Sequence, residues 1–360
     1  MLVFSVMRNL RRWMGVAAVP MLVLAGGITL ADTASALPST GSIVTPSGQD
    51  AAVSFDADGT TFHGSLRAPD GDTKGAALLI PGSGPSDRNG NQSGIARSDV
   101  LIRIADSLAA HGIASLRFDK IGAGETGLGR YTTETIGEYG FTDQVDHAAA
   151  AADLLAERTG VPTSDILVLG HSEGGLTALA LADRGIGRGF GLLQPLPMRY
   201  LDLISAQLTA VSESGQLSSD EAETVRTDVA RAVESLRTTG TVPADLHPIV
   251  TQLGVNEDNA KFLSEADRLD PPALAAQLGA GTPVMLTCSD KDLNITCAQI
   301  DPLRLALGHT NLRFERFATS NHHLEEIGPL PPSAADVIAL LPLSAEFAAV
   351  IDDWAAQQAG

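Results

Sequence analysis

The sequence predicts an α/β fold, a doubly wound and mostly parallel sheet with an inserted helical cap, and three observations predict it. Short apolar runs such as Ile166-Leu167-Val168-Leu169 are too brief for a helix face and suit strands buried on both sides. Such runs alternate with longer segments of helical periodicity, as strands joined by covering helices require. The alternation then stops over residues 198–278, where the sequence is polar and mostly helical. An insertion of that size between two strands most simply forms a cap over the strand ends.

Composition sets the outer bounds. A chain of 360 residues with 44% hydrophobic content can bury a sizeable core. Its formal charge of -19 is spread along the sequence, which argues against nucleic acid and anionic membrane surfaces as partners. At the N-terminus Arg8, Arg11 and Arg12 precede an apolar run, residues 13–30, that ends in Ala34-Ser35-Ala36. This predicts a signal peptide over 1–36 and a secreted or cell-envelope protein, not held in a membrane after cleavage. The run is almost long enough to span a bilayer, so an uncleaved anchor is the alternative; the small-residue cleavage site favours export. Residues 37–50, rich in Pro, Ser, Thr and Gly, read as a flexible linker. The two cysteines, Cys288 and Cys297, would be exported into an oxidising compartment and are expected to form a disulfide. With no neighbouring His or Cys they do not make a metal site.

The first part of the core is expected over 51–197. Alternating residues 52–55 and 61–66 flank Asp56-Ala57-Asp58-Gly59 as a hairpin. Residues 75–80 form a buried strand that opens into a loop rich in Gly, Pro and Asn, Pro81 to Asn91. A helix over 98–111, a strand over 113–120 and a helix over 141–158 lead to the strand before Gly170-His171-Ser172-Glu173-Gly174. A helix over 175–182 and a strand over 189–194 follow. The cap, 198–278, carries helical segments at 200–212 and 218–236. The second part of the core, 279–360, resumes with a strand over 283–288 that runs into Ser289-Asp290-Lys291-Asp292. A strand over 312–317 leads to Asn321-His322-His323, and a last helix covers 344–357.

The segment around Ser172 carries the chemistry. In a G-x-S-x-G turn between strand and helix, the serine takes a strained backbone conformation and its hydroxyl stands at the carboxyl end of the sheet. The N–H of Glu173, together with that of Ser83 or Gly84 in the loop after the 75–80 strand, could bind an oxyanion there. A serine hydroxyl is a weak nucleophile and needs a base, which a third group must orient. The chain supplies an aspartate near 290 and a histidine near 322, each on a loop after a strand, in the order Ser, Asp, His.

Five motifs in order make the chain resemble an α/β-hydrolase, and within that superfamily the secreted bacterial esterase-like members with a serine aminopeptidase-like hydrolase domain. They are Gly82-Ser83-Gly84-Pro85-Ser86-Asp87-Arg88-Asn89-Gly90, Arg117-Phe118-Asp119-Lys120, Gly170-His171-Ser172-Glu173-Gly174, Ser289-Asp290-Lys291-Asp292 and Asn321-His322. The resemblance implies Ser172 as nucleophile, Asp292, which closes a Gly-x-x-Asp-like turn, as orienting acid and His322 as base; Ser289 stands where that turn commonly has glycine, which leaves Asp290 as an alternative, and His323 is the other because only one of two adjacent residues can face the serine. The other histidines, His111, His147, His171, His247 and His309 among them, are read as structural or exposed. The resemblance further implies hydrolysis of a small-molecule ester through an acyl-enzyme, with no cofactor and no metal. A peptidase or acyltransferase with the same triad is the rival reading, and a non-catalytic binding protein on this scaffold the remaining one.

Overall fold

A computed structural model describes residues 50–92, 97–337, 339 and 341–359. The expected signal peptide, 1–36, and all but the last residue of the expected linker lie outside the described residues. Asp50, the last linker residue, belongs to the fold: it opens the first strand, and its carboxylate pairs with Arg67 and Arg117.

Eight strands form one sheet. In chain order they are β1 (Asp50–Ala57), β2 (Thr60–Arg67), β3 (Gly75–Ile80), β4 (Ile113–Phe118), β5 (Leu167–His171), β6 (Gly189–Leu193), β7 (Pro283–Ser289) and β8 (Asn311–Phe317). In space the order is β1-β2-β4-β3-β5-β6-β7-β8. β1 pairs antiparallel with β2, and β2 with β4, while every other pairing is parallel. The chain crosses from β3 to β4 on one side and returns to β5 on the other. That reversal opens a crevice at the carboxyl ends of β3 and β5, where open α/β sheets bind ligands.

The continuous apolar character of the central strands follows from burial on both faces. On one face Ala77, Leu79, Leu167 and Leu169 pack against α1 (Val100–Ala110) and the C-terminal helix, Ala345–Gln358. On the other, Leu78, Ile80 and Val168 pack against α2 (Phe141–Thr159) and α3 (Glu173–Asp183). Between β6 and β7 the chain inserts α4 (Tyr200–Glu213), α5 (Ser219–Thr238), α6 (Pro248–Gln252), α7 (Ala260–Asp267) and α8 (Pro271–Ala275). After β7 comes α9 (Cys297–Ala306), which makes the C-terminal helix α10. The insertion is fixed to α2: the Phe262 ring meets Phe141 at 5.5 Å, and Lys261 Nζ pairs with Asp143 at 2.9 Å. Asp267, buried in α7, accepts hydrogen bonds from Arg199, Arg237 and the Leu201 N–H, which ties the insertion's own helices together. Among the described residues no helix is long and apolar enough to cross a membrane.

Candidate active site

Ser172 joins β5 to α3 with φ 54° and ψ -122°, a conformation that L-residues rarely adopt. Its neighbours explain why the turn is made of glycine. A Cβ on Gly170 would lie 2.0 Å from the Gly174 carbonyl oxygen, and one on Gly174 would lie 2.5 Å from that of Ile80. Strand, turn and helix therefore meet more closely than any side chain would permit, and Ser172 is held at the crevice.

His322, on the loop after β8, accepts the Ser172 hydroxyl at Nε2 over 3.0 Å and donates from Nδ1 to Asp292 Oδ2 over 2.6 Å. The other oxygen of Asp292 accepts the N–H groups of Asn294 at 2.7 Å and Ile295 at 2.9 Å. The carboxylate is buried and can accept the histidine from one side only. Asp290, three-dimensionally apart from this relay, pairs with Arg316 on the surface at 2.6 Å. His323 packs its ring 5.5 Å from that of His171, and burial drives its pKa well below the usual histidine range. Of the two aspartates and two histidines, the fold thus brings Asp292 and His322 to the serine.

The candidate oxyanion donors converge on the same cleft. Glu173 is the first residue of α3, so its N–H has no acceptor within the helix. Gly82, Ser83 and Glu173 line the cleft together with Ser172 and His322, whereas Gly84 does not. The loop that carries Ser83 is closed on itself: the Ser83 carbonyl accepts Ser86 Oγ at 3.0 Å and also Gln92 Nε2. Arg88 anchors it to the end of β4 through Nε on Asp119 at 3.0 Å and to β2 through the Gly64 carbonyl at 3.0 Å.

Sequence reasoning missed the chemistry beneath the turn. The Glu173 carboxylate is buried and accepts Lys120 Nζ at 2.9 Å, Gln144 Nε2 at 3.1 Å and the Tyr200 hydroxyl at 2.7 Å. His171, read as structural, is indeed buried, with its pKa lowered to about 4 by burial first and by His322 second. It also lines the cleft and donates from Nε2 to the His322 carbonyl at 2.8 Å, so it supports the loop that bears His322. The one sequence signal for this support is the histidine inside the G-x-S-x-G motif, next to the serine.

The remaining wall comes largely from the insertion, Leu196, Tyr200, Leu203, Ile204 and Gln207, with Asn294 and Ile295; Gln207 Nε2 donates to the Asn294 carbonyl at 3.1 Å. The Cys288–Cys297 disulfide is formed and closes the loop that carries Asp292. Among the described residues no group of three or more His, Cys, Asp or Glu is placed to hold a metal ion.

The model of the serine aminopeptidase S33 family matches residues 94–204, a segment that contains the Ser172 turn. No curated protein sequence matches the chain. Solved structures match it over most of its length. An esterase of Pyrococcus furiosus, PF2001, covers 87% of this chain and 92% of its own with 13% identity and a TM-score of 0.54. Est1E of Butyrivibrio proteoclasticus covers 87% of this chain and 99% of its own with 16% identity and a TM-score of 0.51, and has also been solved with ferulic acid bound. The shared fold is that of the α/β-hydrolases.

Proposed function

We propose that this chain of α/β-hydrolase fold is an exported serine hydrolase that cleaves carboxylic esters through an acyl-enzyme. The observation that carries the proposal is the relay in which Ser172, His322 and Asp292 are joined by hydrogen bonds of 3.0 and 2.6 Å. In this reading Ser172 Oγ bonds to the ester carbonyl carbon while its proton passes to His322 Nε2, and Asp292 stabilises the imidazolium that forms. The carbonyl oxygen, now an oxyanion, is taken up by the N–H groups of Ser83 and Glu173. His322 returns the proton to the alcohol oxygen as the C–O bond breaks. Water, deprotonated by His322, then attacks the acyl group, and the acid leaves with Ser172 restored.

The cleft lining favours an ester over a peptide with a free amino terminus. An aminopeptidase needs a carboxylate for the substrate ammonium. Among the described residues that line the cleft, Glu173 is the single carboxylate, and Lys120 already neutralises it. Apolar Leu196, Leu203, Ile204 and Ile295, with the amides of Gln92 and Gln207 between, suit an uncharged acyl or alcohol group. Ferulic acid in Est1E makes phenolic acyl esters worth including among the substrates. Export, expected from residues 1–36, accords with the disulfide, since such bonds persist in oxidising compartments.

The test is hydrolysis of p-nitrophenyl acyl esters of increasing chain length, with aminoacyl p-nitroanilides alongside, by the mature protein and by Ser172→Ala. Ester hydrolysis with kcat lowered at least about a thousandfold in the variant is the expected result. Turnover unchanged in Ser172→Ala overturns the mechanism, and anilide cleavage faster than ester cleavage overturns the substrate class.

A further inference from the structure

Lys120 sits at the exit of β4, Gly82 at the exit of β3 and Glu173 at the exit of β5, three strands that are neighbours in the order β4-β3-β5. Its ammonium reaches across the middle strand and donates to the Gly82 carbonyl at 2.9 Å and to Glu173 Oε1 at 2.9 Å. Lys120 and Glu173 side chains are 4% and 1% exposed. Lys is almost never buried to this degree without a partner, and here one buried ammonium joins the two segments that carry the proposed oxyanion donors, Ser83 and Glu173.

We infer that Lys120 is the positioning residue of the oxyanion hole. This inference rests on the serine hydrolase reading above. The peptide between Gly82 and Ser83 is planar and trans, so its carbonyl and its N–H point in opposite directions. Holding the Gly82 carbonyl down on Lys120 Nζ turns the Ser83 N–H the other way, towards the cleft that Ser83 lines. The second donor is fixed from its own side chain. The Glu173 carboxylate is clamped by Lys120, by Gln144 of α2 and by Tyr200 of α4, which holds the first residue of α3 in place. Both donors are thereby set before substrate arrives, and preorganisation of this kind acts on the transition state more than on the bound ester. A buried ion pair that served packing alone would give no such bias.

Removing Lys120 alone would leave a buried carboxylate unpaired, so the informative variant is Lys120→Met with Glu173→Gln, which removes both charges together. With a p-nitrophenyl ester, kcat is expected to fall about a hundredfold while KM stays within about threefold. A trifluoromethyl alkyl ketone supplies the second readout, because Ser172 Oγ adds to its carbonyl carbon, the proton passes to His322 and the oxyanion remains in the hole. Its affinity should fall by the same factor as kcat. Lys120→Arg, which keeps the charge and a donor, should return kcat to within about tenfold of the wild type. A folded double variant with kcat within threefold of the wild type overturns the inference, as does a loss confined to KM. If the double variant does not fold, the crystal structure of the wild-type ketone adduct decides: the oxyanion on Ser83 and Glu173 N–H with Lys120 still on the Gly82 carbonyl upholds it, and other donors overturn it. A wild type that neither hydrolyses esters nor forms the adduct overturns the hydrolase reading and this inference with it. An active wild type with an equally active variant overturns this inference alone.

Discussion

Asp292 and Asp290 stand two residues apart, and what separates them is backbone geometry. The N–H groups of Asn294 and Ile295 fold back onto Asp292 Oδ1 and leave Oδ2 for His322, whereas Asp290 is spent on Arg316 at the surface. Asp292→Asn keeps the size but can present an N–H where Nδ1–H must be accepted, which favours the wrong imidazole tautomer. Its kcat for a p-nitrophenyl ester is expected to drop by about a thousandfold or more, while Asp290→Ala stays within about twofold of the wild type. Equal losses in the two variants would contradict the assignment. The serine was legible in the sequence because its glycines obey a local steric rule. The choice within Asp290 and Asp292, or within His322 and His323, was not, because it depends on how a loop turns and not on which residues it holds. Lys120 and Glu173, 53 residues apart, were invisible for another reason: only the strand order β4-β3-β5 brings them together.

Elements were read more securely than residues, since a strand or helix averages over many side chains. β3 runs over Gly75–Ile80, the residues that the apolar run predicted, and helices predicted at 98–111 and 141–158 are found at Val100–Ala110 and Phe141–Thr159. Boundaries failed where tertiary contacts decide them: Asp50 follows a Pro- and Ser-rich stretch, yet two arginines draw it into β1. The loop from β7 to α9 shows what such contacts add. Cys288 is in β7 and Cys297 opens α9, so their bond encloses the loop that bears Asp292, while Lys291 donates to the carbonyls of Gly328 and Leu330 from its middle. Replacing both cysteines by serine frees a short loop in the unfolded chain and should cost about 2 to 3 kcal/mol of stability. A severalfold fall in kcat should accompany it, because Asp292 loses part of its support, while far-UV circular dichroism stays unchanged. The comparison is denaturant unfolding and ester turnover of the variant against the parent. Two freely alkylated thiols in the native parent would refute the role of the bond.

At the scale of the whole molecule, the buried titratable groups set how stability follows pH, and they act in opposite senses. His147 and His171 are each held down to about 4, by burial above all, and His323 lies well below its usual range for the same reason. Between pH 4 and 6.5 the unfolded chain binds protons at these positions that the native protein does not. Their effect is therefore a stability that rises with pH through that window and is lost on acidification. Glu325 works the other way. It is buried, its Oε1 has no hydrogen-bond partner, and desolvation, partly offset by the Asn321 amide, raises its carboxyl from 4.5 to about 7. From pH 4.5 to 7 the native state holds that proton and the unfolded state does not, so this term lowers stability as pH rises and is fully adverse above 7. Three histidines outweigh one glutamate on the acid side, and stability should peak near neutral pH. From pH 7 to 5 a net loss of stability is expected, read as a fall in the denaturant midpoint between the two pH values. Glu325→Gln removes the adverse term without removing the side-chain oxygen that Asn321 binds. The variant should nearly match the parent near pH 4.5 and exceed it by about 3 kcal/mol at pH 8.5, as denaturant unfolding at the two pH values would measure. Because Asn321 also accepts the N–H groups of His323 and Glu325, the same substitution acts on the loop that carries His322. A stability gain at high pH with kcat unchanged would show that the glutamate weighs on the fold alone. No gain at pH 8.5 would show that Glu325 ionises in the native protein as freely as in the unfolded chain.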